Sequence, residues 1–326
     1  MSSSETEVRT DGTDARLPPG VIVGGPAVAI KNVESRFLLA FFWGGTAAGL
    51  WWAFARGLGT VEIATFAGML ALTTFGIGAG MHRLLVHRSF RCGPAMRVFF
   101  CAIAQMAVQG SILKWVSTHR RHHRYADRPG DPHSPYYDGH GRPYLSALKG
   151  MLHAHGGWVQ DDVLSDPAVY AKDILADPIA MFFTRTRWVW YALSGVGIPG
   201  AIGYAAGGLH DMAGCVLFSG LFRVYLQVLL SQLTGSVCHA YGYRRFEMDD
   251  DSTNELVSTI LTFGEGLHNN HHRHPRDAYL SHAWYEVDLN GLIILGLARV
   301  GLVRDVFDGG RRRTAVGAAD VPNGGG

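Results

Sequence analysis

Two apolar runs separated by a very short linker limit what this chain can fold into. Residues 37–55 lie between Arg36 and Arg56, and residues 61–80 follow the linker 56–60. A helix needs about 20 apolar residues to cross the hydrocarbon core of a bilayer. Both runs qualify, and so short a linker makes them an antiparallel hairpin. Residues 188–209 and 212–233 repeat the pattern after a long polar stretch. The last run carries Arg223, Gln227 and Gln232, and polar residues within a span face protein or a cavity. Residues 98–113, with Gln105 and Gln109, are too short to span and are either re-entrant or interfacial. Residues 292–303 read as an amphipathic surface helix. The expected fold is an all-α integral membrane protein with four transmembrane helices.

Composition agrees. Hydrophobic residues make up 48% of the chain and charged residues only 17%, apolar-rich and charge-poor for a soluble protein. A net charge of +2 is too small to argue for nucleic acid. Cys92, Cys101, Cys215 and Cys238 have no CxxC spacing, which excludes a disulfide framework or zinc ribbon and fits a reducing compartment. The polar start of the chain reads as a disordered tail and not a signal peptide. Tails are placed at 1–30 and 309–326, around one domain at 31–308.

If the four runs span, residues 81–187 and 234–326 share one side with the N-terminus. Those segments hold Arg83, Arg88, Arg91, Arg120, Arg121 and Arg124, and the basic excess marks that side as cytoplasmic. The expected location is therefore the inner or cell membrane, with both termini and any site in these segments facing the cytoplasm.

The sixteen histidines concentrate there. One group is His82-Arg-Leu-Leu-Val-His87, a second His119-Arg-Arg-His122-His123 and a third His268-Asn-Asn-His271-His272, with His239 alone after the last run. On a helix, positions i, i+3 and i+4 share a face, so each HxxHH should present three imidazoles to one point. His82 and His87 are five apart, so either the helix end opens there or the two rings reach different metals. Neutral imidazole suits iron, zinc, copper or nickel. Nine ligands are too many for one ion and about right for two. Asp127, Asp131, Asp249, Asp250, Asp251, Glu255 and Glu265 are candidate charge-compensating acids behind the ligands, and Asn254 and Asn270 are candidates to orient water or rings. His140, His153, His210, His274 and His282 read as ordinary surface or core histidines.

Around these residues the sequence resembles the membrane fatty acid desaturase family, most closely its acyl-CoA (stearoyl-CoA type) branch. The matching text is Gly80-Met-His-Arg-Leu-Leu-Val-His-Arg-Ser-Phe90, Trp115-Val-Ser-Thr-His-Arg-Arg-His-His-Arg-Tyr-Ala-Asp127, Asp131-Pro-His133, His155-Gly-Gly-Trp158 and Leu261-Thr-Phe-Gly-Glu-Gly-Leu-His-Asn-Asn-His-His272. The resemblance implies a cytosolic helical cap over four spans. It also implies two ferrous ions held by His82, His87, His119, His122, His123, His239, His268, His271 and His272. An acyl chain would lie in a narrow tunnel, with Gln109 and Trp115 at its bend. The reaction implied is O₂-dependent desaturation of an acyl-CoA or another acyl thioester or lipid to a cis alkene. Electrons must come from a separate donor such as a ferredoxin, a cytochrome b5-like protein or a flavin reductase. Gly76-Ile-Gly-Ala-Gly80 lies inside a span, not at a strand–helix turn, and is no dinucleotide fingerprint.

Two positions depart from the family. Gly235 stands where an Asn is common, four residues before His239, and leaves one metal more open or free to hold an extra water. Leu267 stands where a Trp often precedes the third box. These departures keep a related hydroxylase or acetylenase, acting on an acyl carrier or lipid, as the alternative. A membrane metal transporter is a competing class, but its ligands belong near mid-bilayer. Arg36, Lys149 and Arg185 are candidates for an anionic head group, or ordinary lipid-facing charges.

Overall fold

The computed structural model describes residues 17–309. The first helix, α1 (Gly25–Arg56), shows why the chain needs a bilayer. Its buried positions are Val28, Lys31, Ser35, Leu38, Phe42, Gly45, Gly49 and Trp52. They recur every three or four residues, the stripe of a helix packed on one side. The opposite face is just as apolar: Phe37, Trp43, Trp51 and Phe54 are 58–88% exposed. A helix apolar all round must be covered on all sides, and here lipid is the missing cover. Its 32 residues rise about 48 Å, so the charged first third, with Lys31, Glu34 and Arg36, extends beyond a core about 30 Å thick.

Among the described residues three helical segments are long and apolar enough to cross a membrane: α1, α2 (Thr60–Val86) and Arg187–His239. The third has 53 residues and folds back on itself. Gly207 and Gly208 leave helical geometry, and Gly208 takes φ +68°, which glycine adopts without penalty. The two limbs then touch backbone to backbone. A Cβ on Gly203 would lie 2.3 Å from the Asp211 carbonyl, and one on Gly220 would lie 1.9 Å from the Gly195 carbonyl. Small residues permit this close approach in membranes. Gly45 and Gly49 likewise let α1 press on Leu221 and Leu217. The polar residues of the last limb turn inward. Arg223 donates to the Ser194 carbonyl and hydroxyl at 2.9 and 2.8 Å, and Gln227 accepts from Thr73 and Thr74, both at 3.0 Å.

Between these segments lies a polar, mostly helical layer. The apolar helix α3 (Pro94–Gln105) packs Phe100, Cys101, Ile103 and Ala104 into the core. It is too short to span. A turn with Val108 at φ +58° and Gly110 at +88° leads into α4 (Ile112–Tyr125), capped by Ser111 accepting from the Lys114 N–H. Two short antiparallel ribbons qualify the all-α expectation: Val21–Val23 pairs with Val163–Ser165, and Arg91–Cys92 with Val303–Arg304. The first ribbon also moves the N-terminal boundary, because Val21–Val23 and the start of α1 fall inside the 1–30 expected to be a tail. Residues 1–16 and 310–326 lie outside the described residues.

The Gly195–Gly220 contact yields a test. Gly220→Ala places a methyl against a carbonyl with no room to give. It should cost roughly 1–3 kcal/mol, read as a lower melting temperature of the detergent-solubilised protein, while Gly44→Ala, which meets nothing within 4 Å, should leave it unchanged.

Candidate metal centre

The end of the second apolar helix (Thr60–Val86) builds the first part of the centre. From Gly76 to Val86 the helix widens to π geometry, and the His87 N–H bonds the His82 carbonyl at 3.1 Å. On an α-helix, residues five apart point about 140° away from each other. A π-turn, closed by i→i+5 bonds, stacks them instead. His82 and His87 therefore lie with ring centroids 4.8 Å apart and join the same cluster. The spacing of five neither opens the helix nor sends the two rings to different ions.

The two HxxHH groups correct a second expectation. They do not aim three rings at one point. His119 and His123 join His82, His87 and His271 in one cluster, while His122 joins His239, His268 and His272 in another, the facing nitrogens of each cluster lying within 4.8 Å of one another. Positions i and i+4 are about 40° apart on a helix, and i+3 lies about 100° from i+4. Each triad thus straddles two sites, and the nine histidines divide five and four.

The contacts inside each cluster are those of ligands around a shared cation. Nε2 of His82 lies 2.9 Å from Nε2 of His271, and His123 lies 2.9 Å from His119 and 3.0 Å from His271. In the second cluster His239 and His268 approach to 3.0 Å, and His122 and His272 to 3.3 Å. Two nitrogens at right angles around an ion, each about 2.1 Å from it, are about 3 Å apart. Tautomers sharpen the point. Nδ1–H of His122 donates to both oxygens of Asp131 at 3.0 Å, and Nδ1–H of His272 to Asp250 at 3.1 Å. Both Nε2 atoms therefore carry lone pairs, and these face each other. Burial pulls His87, His119, His122, His123, His268, His271 and His272 below their ordinary value of 6.5, so protonation does not relieve the repulsion. Nε2 of His87 is buried without a partner. The donor set fits two cations.

The outer layer of carboxylates is sparser than expected. Asp131 and Asp250 hold His122 and His272, Asp127 accepts from Nδ1 of His239 at 2.7 Å, and Glu265 bonds Nδ1 of His82. Asp127 takes φ +57°, a strained conformation of the kind that clusters at functional sites. Glu265 is also bound by Arg83 at 2.9 Å, which in turn pairs with the buried Asp288. Burial alone would raise Glu265, but Arg83 and His82 hold it down at about 2. Burial and the neighbouring Asp127 push Asp131 up to about 7, and a cation on the far side of His122 would keep it ionised. Carboxylates thus outnumber guanidinium groups behind the rings, a balance that suits bound cations. The other acids serve elsewhere. Asp249 pairs with Arg128 and Asp251 with Arg244, and Glu255 caps the helix Leu256–Leu261. Asn254 and Asn270 bond each other at 2.8 Å, and Asn270 also donates to the Leu280 carbonyl and Glu286, so these amides brace the protein frame.

An apolar cavity of about 490 Å³ reaches the centre, walled by Leu38, Phe42, Val108, Tyr225 and Val228 and ending on His82, His119, His122 and His268. Gln109 and Trp115 both line it. Trp115 lies flat on His119 at 4.8 Å, and Gln109 accepts from Ser231 at 2.9 Å. Arg36, Lys149 and Arg185 do not line it. The cation in its wall is Lys114, whose amine burial pulls downward; its place inside an amphipathic histidine helix hid that role.

Gly235 does not simply leave space. A Cβ there would lie 3.0 Å from Nδ1 of His133, a buried nitrogen without a partner. His133 stacks on His122 at 4.2 Å and belongs with His122 and Asp131 rather than with the four-histidine cluster. Sequence reading missed it because its box, Asp131-Pro-His133, has no helical spacing. His153, by contrast, is structural, held by the Ser134 carbonyl and Asp161.

Two substitutions test this arrangement. Asp131→Asn should weaken binding of one of two metals by about 10- to 100-fold, read by metal titration with circular dichroism unchanged. Gly235→Val should push His133 off His122 and lower metal retention on dialysis, and adding His133→Ala should restore it.

Comparison with known proteins agrees with this site. Residues 60–290 match the family model "Fatty acid desaturase". The chain is 36% identical over 261 residues to a hex-5-enoyl-(acyl-carrier protein) acetylenase of Moorena producens (strain JHB), covering 79% of each protein. It is 34% identical to an acyl-CoA C20 Delta5-desaturase of Anemone leveillei, over 71% of this chain and 69% of the relative. It is 31% identical to an sn-1 stearoyl-lipid 9-desaturase of Anabaena variabilis, over 71% of this chain and 78% of the relative. The match covers the two apolar segments after α1, the three histidine groups and His239, and the chain belongs to the fatty acid desaturase family.

Proposed function

We propose that this protein is an O₂-dependent fatty acyl desaturase whose nine histidines hold two iron ions. The observation that carries the reading is the pair of opposed imidazole clusters at the end of an apolar cavity. Iron bound there would supply, with O₂, two electrons and two protons, the oxidising power to take two hydrogens from adjacent methylenes and release two waters. The chain's own part is positioning. Leu38, Phe42, Val108, Tyr225 and Val228 exclude water around an extended acyl chain. Trp115, fixed against His119, and Gln109, tied to Ser231, set the wall where that chain passes the centre, and C–H selectivity depends on such placement. The fold would cross the membrane four times, the hairpin at Gly207–Gly208 supplying the last two crossings. The centre and both termini would face the cytoplasm, following the arginine excess. Electrons would come from a separate ferredoxin, cytochrome b5-like protein or flavin reductase.

An acetylenase or hydroxylase acting on a carrier-bound acyl group is the second reading. It is favoured by His133 lying beside the cavity over Gly235, and by the similarity to an acyl-carrier acetylenase.

Product mass decides between them. Iron-loaded protein in lipid nanodiscs, given O₂ and reduced ferredoxin, should convert a saturated acyl-CoA or acyl-carrier substrate to a product lighter by two hydrogens. Loss of two hydrogens from an already unsaturated substrate, with the alkyne established by its carbon-13 resonances, identifies an acetylenase, and gain of one oxygen a hydroxylase. Iron near two per chain with no product from any of these substrates would falsify the enzymatic reading.

A further inference from the structure

A second cavity reaches the five-histidine cluster from the opposite side. It is open, about 880 Å³, and shares no lining residue with the acyl cavity. Its floor holds His87 and His123, both partly exposed members of that cluster. Its walls carry Arg88, Arg91, Arg97, Arg120, Arg276 and Arg304. Three carboxylates oppose these six cations: Asp173 bridges Arg88 and Arg120, Asp177 holds Arg97, and Asp305 lies 3.5 Å from Arg91. Arg276 instead lies over the Phe307 ring at 4.7 Å. Of the residues that line the cleft, six are arginines and one, Asp173, is a carboxylate, so positive charge dominates directly above two of the metal-facing imidazoles.

We propose that this cleft is the docking site of an acidic one-electron carrier protein, and that electrons enter the centre through His87 and His123. The proposal rests on the reading of the clusters as a redox-active iron centre, and assigns its electron entrance. Three features favour a protein over a small anion. The mouth is wide, the outer arginines are exposed, with side-chain accessibility of 64% for Arg88 and 77% for Arg91, and no fully buried cation closes around a point. Electron-transfer encounters are small, weak and steered by charge, and a basic rim around redox ligands suits them. The geometry also separates traffic. The acyl chain meets His82, His119, His122 and His268 from within the apolar cavity, so a carrier on the other face needs no movement of substrate. The step itself is outer-sphere. Each docking reduces one ferric ion to ferrous and oxidises one carrier, and two carriers supply the two electrons that a desaturation consumes.

Arg91, Arg276 and Arg304 touch neither the histidines nor the acyl cavity, and all three are exposed. The test uses iron-loaded, full-length protein in neutral-lipid nanodiscs, oxidised and then mixed in stopped flow with reduced acidic plant-type ferredoxin. A parallel arm uses an acidic soluble b-type cytochrome, and a control arm a photoreduced neutral flavin. Arg91→Glu/Arg276→Glu/Arg304→Glu should slow reduction by the acidic carriers about tenfold or more at low salt, and the difference should fade at high salt as charges are screened. Reduction by the neutral flavin should not change, which also shows that the variant is folded and metallated. Equal rates for both proteins with the acidic carriers, or reduction of the native protein by the flavin but by neither carrier, overturns the docking site alone. If the variant instead loses only binding to anionic vesicles, the cleft is a membrane-surface contact and the proposal fails. A native protein that the flavin cannot reduce overturns the iron-centre reading beneath it.

Discussion

The arrangement of this protein depends on one repulsion and what relieves it. His122 and His272 each give their Nδ1 proton to a carboxylate, so their Nε2 lone pairs confront one another at 3.3 Å. Ring nitrogens also approach to about 3 Å across His239 and His268 and within the five-histidine cluster. Burial holds His122 and His272 neutral, so no added proton relieves their repulsion. A cation in each cluster would turn the repulsion into ligation. Folding of the polar layer and metal binding would then be one equilibrium, as in other sites that do not pre-exist in the unfolded chain. The carboxylates behind the rings complete the logic, because buried negative charge is costly unless cations compensate it.

The helices transmit this demand to the membrane-facing part of the fold. His82 is delivered from the end of a helix whose earlier turns are apolar, and the ring reaches Glu265 only because the last turns widen to π geometry. Arg83, next in sequence, is fully buried between Glu265 and Asp288. That ion triad ties the helix end to residues far away in sequence. Breaking one partner of such a group leaves an uncompensated buried charge, so its cost exceeds what the pair contributes.

Much of this was legible in the sequence, and what was not has physical reasons. The apolar runs gave the helices because a bilayer leaves few alternatives, and α1 extends further than its apolar run because its charged first turns can lie outside the core. Six of the nine histidines were legible because imidazoles at i, i+3 and i+4 have little other common purpose, while His82, His87 and His239 stood out by their place after apolar runs and by the family resemblance. The division of the nine into five and four was not, since it depends on a π-turn at 76–86 and on rings from α4 and from His268–Arg273 meeting at opposite angles. Choosing among seven acids was equally out of reach: Asp127 and Asp251 are alike in sequence, yet only Asp127 is bent by a left-handed backbone toward His239. Lys114 and His133 escaped because each stands in the cavity wall through tertiary packing and not through a local pattern.

His133 shows how a small side chain can redirect a site without touching it. Gly235 removes an atom that would stand 3.0 Å from Nδ1 of His133, and the imidazole settles into that space, flat on His122. His122 is then gripped on three sides: by Asp131 at Nδ1, by His133 on its face and by the facing His272. A ring so confined cannot swing, and an ion held there would inherit that rigidity. In a related chain with a larger residue at this position, the same stack could not form without moving the histidine or the helix carrying the glycine. The departure from the family at Gly235 and the buried histidine of Asp131-Pro-His133 are therefore a single structural feature, placed where the acyl cavity meets the four-histidine cluster.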